Sequence, residues 1–480
     1  MKSTRSNLVV SPFAAILQGL APDGGLFVLD KVPANLFQDT PFDEDYVAYA
    51  TSIFHALMED YPLADLRLML SEAYGSSLFP NGVVPIHATD SEAYLELYHG
   101  PTFAFKDLAL SVLPRLFDYA KQRESIALPT VILTATSGDT GGAALSGFSS
   151  LNNTYVIVLY PKHGVSPLQE QQMNSFQGEN CLVLGVNGNF DDCQRIAKDV
   201  FGSYHPDHVI LSSANSINIG RIIPQIVYYM YGYHQLVNDQ YIQAGDPINI
   251  TVPTGNFGNI YAAFLAKQLG LPVNKLIIAS NENDVLTDLF HTGEYRINRT
   301  LHTTISPSMD IVVSSNLERY LYHLANEDHT QVQAWMTSLQ DRKTVSLPHI
   351  DPDNLFYAGK ATQQETLNTI RTVWENEQYL MDPHTAVAHH VTECYRTNQK
   401  DDTYTMIAAT ASPYKFAGAI STALGIKPAN SLLDTIQSIE IHTGIPADSR
   451  LKLLLHQSHH HITVELQDAK HRIMEWIGDL

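Results

Sequence analysis

Short apolar runs alternate with helical segments from about residue 130 onward, and this alternation indicates the fold class. The runs are rich in aliphatic and β-branched residues, as strands buried on both faces are. They fall at residues 130–135, 155–160, 181–186, 208–211, 248–252, 275–279 and 404–409. With helices between them, they predict an α/β fold in which parallel twisted sheets are covered by helices on both faces. Ligands of such folds bind beyond the carboxyl ends of the strands.

The remaining segments are predicted to be mostly helical. Residues 1–98 are expected to form a mixed, mostly helical opening segment. Residues 281–400 are expected to be helical and more polar. The histidine-bearing tail after residue 427 is expected to be a helical addition at the end. At 480 residues the chain is long enough for two or three packed units. The helices between the strands are predicted from Thr140 and at residues 167–176, 191–201, 219–236 and 259–269.

The net charge of −21 limits the partners that the chain can take. Proteins that follow nucleic acid or an anionic membrane surface carry the opposite charge, so we expect neither partner. No apolar stretch approaches the roughly 18 residues of a membrane span. Three cysteines without a C-x-x-C pair, and no signal-peptide pattern at the start, favour a cytoplasmic protein. Any phosphate-bearing ligand must then be held by backbone N–H groups and a few cations.

Two lone charges lie beside predicted strands in otherwise uncharged surroundings. Asp139 is the single charged residue in 125–161, and Arg221 is the single one in 208–238. A buried ion without a partner costs much free energy, so each needs a partner if it is buried. Either both lie at solvated edges of loops, or both belong to a binding site at the ends of the strands.

A glycine-bearing turn joins a predicted strand to a helix at residues 252–259, which read V-P-T-G-N-F-G-N. Glycines let the backbone approach a ligand, and the start of a helix presents free N–H groups to an anion. The turn therefore favours a phosphate site, although turns of this kind are often purely structural. It matches neither the dinucleotide-binding pattern nor the P-loop, so neither ligand class is indicated.

Lys106 lies in a small, aromatic segment at residues 99–107, H-G-P-T-F-A-F-K-D. Most lysines keep the ammonium in water and only the stem against the protein. A lysine held in an apolar pocket instead has a lowered pKa, which makes its amine able to form a Schiff base. Both interpretations remain open for Lys106 taken alone.

Together these segments resemble, in order, those of the threonine synthase family, pyridoxal-phosphate enzymes of fold type II. The resemblance runs from residue 3 to about residue 427 and includes G-L-A-P-D-G-G-L at 19–26 and D-P-H-T-A-V at 382–387. Besides the lysine segment and the G-N-F-G-N loop at 255–259, it rests on T-A-T-S-G-D-T-G at 134–141 and S-A-N-S-I-N at 213–218, followed by Arg221. In A-T-A-S-P-Y-K-F at 409–416, Ser412 replaces the histidine that many members carry.

The resemblance implies pyridoxal 5'-phosphate as the cofactor, with Lys106 as the Schiff-base lysine and general base. Thr410 is implied to hydrogen-bond the pyridine nitrogen. The cofactor phosphate would lie on the loop formed by Gly255, Asn256, Phe257, Gly258 and Asn259. The implied reaction is that of a carbon–oxygen lyase, which converts O-phospho-L-homoserine and water to L-threonine and phosphate.

The substrate is expected to lie between two further loops. The resemblance implies that Ser137, Gly138 and Thr140 bind its carboxylate. Asp139 has no firm role, because a carboxylate would repel the cofactor's phenolate unless it faces an ammonium group. The candidates for binding the substrate phosphate are Arg221, Ser216, Asn218 and Lys162.

The domain organisation implied by the resemblance has four parts. Residues 1–98 form an N-terminal domain and 428–480 a C-terminal addition. Between them, 99–240 would be the first catalytic domain, with Lys106 and the S-G-D-T-G loop, and 241–427 the second, with the G-N-F-G-N loop. The large and small catalytic domains are both α/β. The oligomeric state is left open.

Two alternative functions remain at this stage. One is a serine or threonine dehydratase-like eliminase of the same cofactor class, against which the G-N-F-G-N loop and Arg221 speak. The other is an inactive sensor of a phosphorylated metabolite, against which an intact Lys106 speaks. We expect no metal site, because His456 and the histidines at 459–461 have no carboxylate or cysteine at helical spacing.

Overall fold

The computed structural model describes residues 1–204, 206–427, 429–456 and 461–480. Its helices alternate with strands through most of the chain, as the sequence predicts. The strands are Lys2–Ser3, Phe27–Val28, Ile86–Ala88, Glu92–Glu96, Thr130–Ala135, Thr154–Pro161, Cys181–Val186, Ile210–Ser212, Ile248–Pro253, Val273–Ser280, Glu294–Arg296, Thr344–Ser346, Phe356–Lys360, Thr405–Ala409 and Ile462–Val464.

The helices cover the strands and fill the opening and closing parts of the chain. Short 3-10 turns occupy Ile219–Arg221, Pro307–Met309 and Pro413–Phe416. The α-helices are Pro12–Gln18, Leu36–Asp39, Tyr46–Leu57, Leu63–Ala73, Lys106–Leu110, Leu113–Arg123, Asp139–Phe148, Pro167–Asn174, Phe190–Ser203, Ile223–Asn238, Gly258–Gln268, Val285–Thr292, Leu317–Leu324, His329–Arg342, Gln363–Glu377, Pro383–Gln399, Ala417–Ala423, Leu432–Thr443, Ser449–Leu455 and Ala469–Gly478.

A five-stranded sheet is built from the middle of the chain and one strand of the tail. All its neighbouring strands are parallel. Its inner strands are buried along almost their whole length, which agrees with the apolar composition of these runs. The order is Ile462–Val464, Cys181–Val186, Thr154–Pro161, Thr130–Ala135 and Ile210–Ser212.

A six-stranded sheet combines strands that are far apart in the sequence. Its neighbours are parallel except for the last pair, which is antiparallel. Glu92–Glu96, from the opening part of the chain, therefore lies directly beside Thr405–Ala409. The order is Phe356–Lys360, Val273–Ser280, Ile248–Pro253, Thr405–Ala409, Glu92–Glu96 and Ile86–Ala88.

The predicted fold class and the predicted strands are confirmed, with ends that differ by one or two residues at some positions. The helix predicted over 219–236 begins instead as a 3-10 turn, and its α-helical part starts at Ile223, with Pro224 in the first turn. Proline fits there because its missing N–H would have no partner. The prediction of residues 281–400 as helical is wrong at three strands: Phe356–Lys360, in the six-stranded sheet, and Glu294–Arg296 and Thr344–Ser346, which pair with each other. The helical prediction of the tail is wrong at Ile462–Val464, a strand of the five-stranded sheet.

Two further observations concern the predicted location of the chain. Among the residues described, the helices lack the combination of length and apolar composition that crossing a bilayer requires. Cys181, Cys193 and Cys394 are free thiols. The cytoplasmic location and the domain boundaries stay predictions.

Candidate active site

Three neighbouring strands of the six-stranded sheet end at one place, and the segments that follow Thr130–Ala135 and Ile210–Ser212 of the five-stranded sheet face them. The loops after Ile248–Pro253, Thr405–Ala409 and Glu92–Glu96 carry the phosphate-loop candidate, Thr410 and the Lys106 segment. Parallel neighbours deliver their carboxyl ends to the same edge, so these loops must meet. The predicted site residues that line the resulting cavity are Lys106, Asp139, Thr140, Ser216, Arg221, Gly255, Asn256, Phe257, Gly258, Asn259 and Thr410.

The backbone just before Lys106 is bonded to the backbone of Thr410 and Ala411. The N–H of Phe105 donates to the carbonyl oxygen of Thr410 over 2.8 Å, and Ala104 forms a bridge with Ala411. The Lys106 side chain is 12% exposed, and its Nζ lies 3.2 Å from Oδ2 of Asp139. Burial lowers the pKa of Lys106 below its ordinary value, and it does so against the opposing charge of Asp139. The amine is therefore biased toward the neutral form that attacks carbonyl carbons.

Asp139 is buried and receives four hydrogen-bond donors, so the interpretation as a solvated loop acid is wrong. Its Oδ1 accepts from Nζ of Lys415 over 2.7 Å and from Nε2 of Gln169 over 2.8 Å. Its Oδ2 accepts from Lys106 and from Oγ of Ser308 over 2.8 Å. Burial alone would raise the pKa of Asp139, but the charges of Lys415 and Lys106 hold it well below its usual range. The carboxylate thus faces two ammonium groups, the arrangement in which it can lie beside a phenolate.

The loop after Ile248–Pro253 forms a cradle of free backbone donors. Phe257 has a φ of 62°, and this left-handed residue turns the chain into the helix Gly258–Gln268. Within the described part of the chain, no backbone N–H of residues 255–259 has a protein acceptor. A row of free N–H groups at a helix start binds phosphate.

Asn259 adds a side-chain donor to the same cradle. Its Oδ1 accepts from Tyr228 over 2.8 Å and from Tyr229, which orients the amide. Its Nδ2 is buried and has no partner among the described residues. A buried donor without an acceptor is costly, and the oxygen of a bound phosphate would satisfy it. The residues present therefore fit a phosphate-bearing cofactor beside a reactive lysine.

Arg221 lines the same cavity and is buried, so its interpretation as a residue at a solvated loop edge is wrong. Its Nη1 donates to the carbonyl oxygen of Ala214 over 2.7 Å, whereas its buried Nε has no partner among the described residues. None of the ion pairs between described residues involves it. Burial lowers the pKa of Arg221 to about 10, so the group is still a cation at neutral pH. An unpaired buried guanidinium is suited to an anion that arrives with a ligand.

Four predicted substrate residues lie outside this lining: Ser137, Gly138, Lys162 and Asn218. The N–H of Gly138 is occupied by Oγ1 of Thr136 over 2.9 Å, and Lys162 is paired with Glu170. The amide of Asn218 donates to the carbonyl oxygen of Ile16 over 2.9 Å and accepts from the N–H of Gly220. Lys162 and Asn218 are thus held by other protein groups, and their role as phosphate ligands stays without support from the geometry.

Sequence reasoning missed several polar residues of the site. Lys415 and His384 lie in segments that the resemblance singled out, so the signal was present although no role was assigned. Nδ1 of His384 is 2.7 Å from Oδ1 of Asp382, and its Nε2 accepts from the N–H of Ser308 over 3.1 Å. Ser308 lies in the 3-10 turn Pro307–Met309, in a segment without a recognisable pattern, so no signal could have found it.

No described residue of the histidine-rich tail lines the cavity. His459 and His460 lie outside the described residues. His461 is described, and its Nδ1 is 3.6 Å from Oε1 of Glu170. In the described ranges, no group of three metal-binding side chains comes together.

Comparison with known proteins identifies the family of the chain. The profile of the family described as "Pyridoxal-phosphate dependent enzyme" matches residues 92–410, and profiles of the threonine synthase N terminus and C-terminal part match residues 1–74 and 385–443. Threonine synthase of Saccharomyces cerevisiae is 37% identical over 460 residues, covering 88% of this chain and 88% of the yeast protein. This chain belongs to the threonine synthase family.

Other relatives support the family and show a difference in length. Threonine synthase-like 1 of Mus musculus is 41% identical over 445 residues, which cover 87% of this chain but 58% of the mouse protein. The chain thus spans less than two thirds of that relative. The structure of PLP-bound threonine synthase from Brucella melitensis superposes with a TM-score of 0.85 at 34% identity, covering 99% of this chain and 98% of that one. The likeness to the threonine synthase family therefore extends over nearly the whole fold.

Proposed function

We propose that this protein is a threonine synthase, which uses pyridoxal 5'-phosphate to convert O-phospho-L-homoserine and water to L-threonine and phosphate. The observation that carries the proposal is the juxtaposition of a buried lysine, a row of free N–H groups and an unpaired guanidinium in one cavity. A cofactor phosphate and a substrate phosphate need two separate anion sites, and the cavity offers two. Membership of the threonine synthase family supports the same assignment.

The cofactor would be held by Lys106 at one end and by the N–H groups of residues 255–259 at the other. When bound, pyridoxal phosphate supplies an electron sink for the pair of electrons released on deprotonation next to the amino group. Nδ2 of Asn259 would complete the phosphate site. Thr410 lines the cavity and would present its hydroxyl to the pyridine nitrogen.

Lys106 would serve as the base once its amine is free. Its buried position and lowered pKa leave the amine neutral at a pH where an exposed lysine is charged, so that it can accept a proton from carbon. Asp139 would then stabilise the ammonium that forms, because its Oδ2 is 3.2 Å from Nζ of Lys106. Lys106 can thus take up a proton from carbon and return it.

Substrate would be held at its two charged ends. Arg221 would bind the phosphate through its free Nε, with Ser216 beside it in the cavity wall. Thr140 lies at the start of the helix Asp139–Phe148 and would help to hold the carboxylate, since a helix N-terminus favours negative charge. With both ends fixed, the γ-carbon that loses phosphate and the β-carbon that receives water are kept near Lys106.

The first prediction concerns Lys106. We expect Lys106→Ala to release no phosphate from O-phospho-L-homoserine, whereas the wild type releases phosphate and threonine in equal amounts. The substitution removes the covalent cofactor link and the base that would accept the proton from carbon. The measurement is a phosphate assay with threonine quantified in parallel, with Lys121→Ala, a buried lysine far from the cavity, as control.

An assay for keto acid with serine and threonine as substrates separates the proposal from a dehydratase. Formation of keto acid from these amino acids, without turnover of the phosphorylated substrate, would contradict the proposal. A wild type that binds cofactor and turns over none of the three would indicate a binding protein.

A further inference from the structure

Lys415 lies outside the cavity lining and is linked to the reactive lysine through Asp139. Its side chain is completely buried, and its Nζ donates to Oδ1 of Asp139 and to the carbonyl oxygen of Thr102, each over 2.7 Å. Asp139 uses its other oxygen for Lys106. One carboxylate is therefore shared by two lysine side chains, one on each of its oxygens.

This sharing changes the charge that Lys106 experiences. An ion pair of Asp139 with Lys106 alone would hold the ammonium form, which cannot attack an aldehyde. A second cation on the same carboxylate cancels most of that field, and burial of both groups makes the cancellation strong. Lys415 thus opposes the protonation of Lys106 without touching it.

Other charged groups around Lys106 do not replace this effect. Asp107 follows Lys106 on its own helix, but it is bonded to the N–H and hydroxyl of Thr102. Arg221 adds positive charge from another wall, which acts in the same direction as Lys415. His384 is held between Asp382 and the N–H of Ser308.

We propose that Lys415 is a positioning residue that neutralises Asp139 and so leaves Lys106 as a free amine able to join the cofactor. The inference rests on the proposed use of pyridoxal phosphate. In that step the neutral amine attacks the aldehyde carbon, a C–N bond forms, and the aldehyde oxygen leaves as water. An ammonium must first release its proton to solvent.

The experiment measures covalent attachment of pyridoxal phosphate to the apoprotein as a function of pH, without substrate. Attachment is followed by absorbance and by borohydride trapping with mass analysis of the peptide that contains residue 106. We expect the wild type to attach cofactor with an apparent pKa below that of an exposed lysine. Lys415→Met should move that pKa upward by at least about one unit, which slows attachment at pH 7 about tenfold.

Three variants separate charge from packing. Lys415→Arg keeps the charge and should keep the pH profile close to that of the wild type. Lys415→Met combined with Asp139→Asn removes both charges and should move the profile back toward the wild type. Lys121→Met, a buried lysine outside the cavity, should leave it unchanged.

An unshifted profile in Lys415→Met, or equal shifts in Lys415→Met and Lys415→Arg, would overturn the inference while leaving the proposed function intact. If Lys415→Met does not fold, as judged by circular dichroism, Lys415→Gln removes the charge in its place and should give the same upward shift. A wild-type profile typical of an exposed lysine overturns the inference. Absence of attachment to the wild type at every pH overturns the proposed function with it.

Discussion

Arg221 illustrates at the scale of one residue how burial creates a binding site. The side chain has a single backbone acceptor, on Nη1, and its Nε is enclosed without a partner. A buried cation in this state is costly until an anion arrives. The folded chain thus carries an electrostatic imbalance that a phosphorylated substrate would relieve.

We therefore predict that Arg221→Ala raises KM for O-phospho-L-homoserine by about 10- to 100-fold, since a charge-assisted hydrogen bond contributes roughly 1.5–3 kcal/mol. The amount of cofactor bound at saturation should be unchanged, because the cradle at residues 255–259 is a separate part of the cavity, although attachment at pH 7 should be slower since the charge of Arg221 also opposes protonation of Lys106. Steady-state kinetics and the absorbance of bound cofactor measure the two effects.

Arg195→Ala is the matched control, because Arg195 is more than half exposed and lies on a helix away from the cavity. It should change neither KM nor cofactor attachment. Loss of cofactor from Arg221→Ala would show that Arg221 serves the cofactor and not the substrate.

Individual site residues were predictable from the sequence where a single charge stood in an otherwise uncharged segment. Asp139 and Arg221 stood out because they were isolated, and the structure buries both. The role of Asp139 was not predictable, since its partners Lys415, Gln169 and Ser308 come from three distant segments. Only the fold shows that the carboxylate faces two ammonium groups.

At the scale of the element, the cradle depends on a close approach of two loops. A Cβ added at Gly255 would lie 2.9 Å from the carbonyl oxygen of Ser308. That oxygen is a backbone atom, and a Cβ is bonded directly to the backbone. The backbone carbonyl cannot rotate away as a side chain would. The loop after Ile248–Pro253 must therefore shift if residue 255 carries a side chain.

Gly255→Ala is predicted to weaken binding of pyridoxal phosphate by about 10-fold, because the free N–H groups of residues 255–259 lose their alignment and an ordinary hydrogen bond contributes roughly 0.5–1.5 kcal/mol. Equilibrium dialysis of the cofactor measures the effect. Gly202→Ala is the control, since a Cβ at Gly202 meets nothing within 4 Å. That change should leave cofactor binding intact and stabilise its helix by up to about 1 kcal/mol.

Elements with an apolar pattern were predictable, and elements stabilised by distant partners were not. Glu92–Glu96 is a buried strand although it begins and ends with an acid. Glu92 is tolerated inside the fold because His389 and Arg396 contact it, and these residues lie about 300 positions away. A window of sequence around Glu92 contains no trace of either partner.

At the scale of the whole molecule, the cluster of Glu92, His389 and Arg396 joins the opening part of the chain to the helix Pro383–Gln399. Oε1 of Glu92 lies 3.0 Å from Nδ1 of His389, and Oε2 lies 2.5 Å from Nη1 of Arg396. Burial would raise the pKa of Glu92, but His389 and Arg396 lower it to about 2. Burial would lower the pKa of His389, but Glu92 raises it above its ordinary value.

These shifts predict a pH window for stability. The contribution of Glu92 to the free energy of unfolding is fully present above its ordinary pKa of 4.5 and is lost as the pH falls toward about 2. The contribution of His389 is complete below its ordinary pKa of 6.5 and is lost as pH rises through the raised value. Glu92→Gln should therefore lower the free energy of unfolding most between pH 4.5 and 6.5, by about 3 kcal/mol for a broken buried pair.

Denaturant unfolding below, within and above this pH range measures the effect. Glu72→Gln removes an exposed carboxylate that is 3.2 Å from Arg115, and it should change stability by less than about 1 kcal/mol. A difference between wild type and Glu92→Gln that does not vary with pH would contradict a role for ionised His389.

The strand Ile462–Val464 has a consequence for how the protein can be handled. It pairs with Cys181–Val186 and forms one edge of the five-stranded sheet. A chain cut before residue 461 would uncover the N–H and C=O groups of a longer, wholly buried strand, a ready template for joining molecules into aggregates. Reporter tags and binding peptides are thus better attached at an exposed loop than substituted for the last twenty residues.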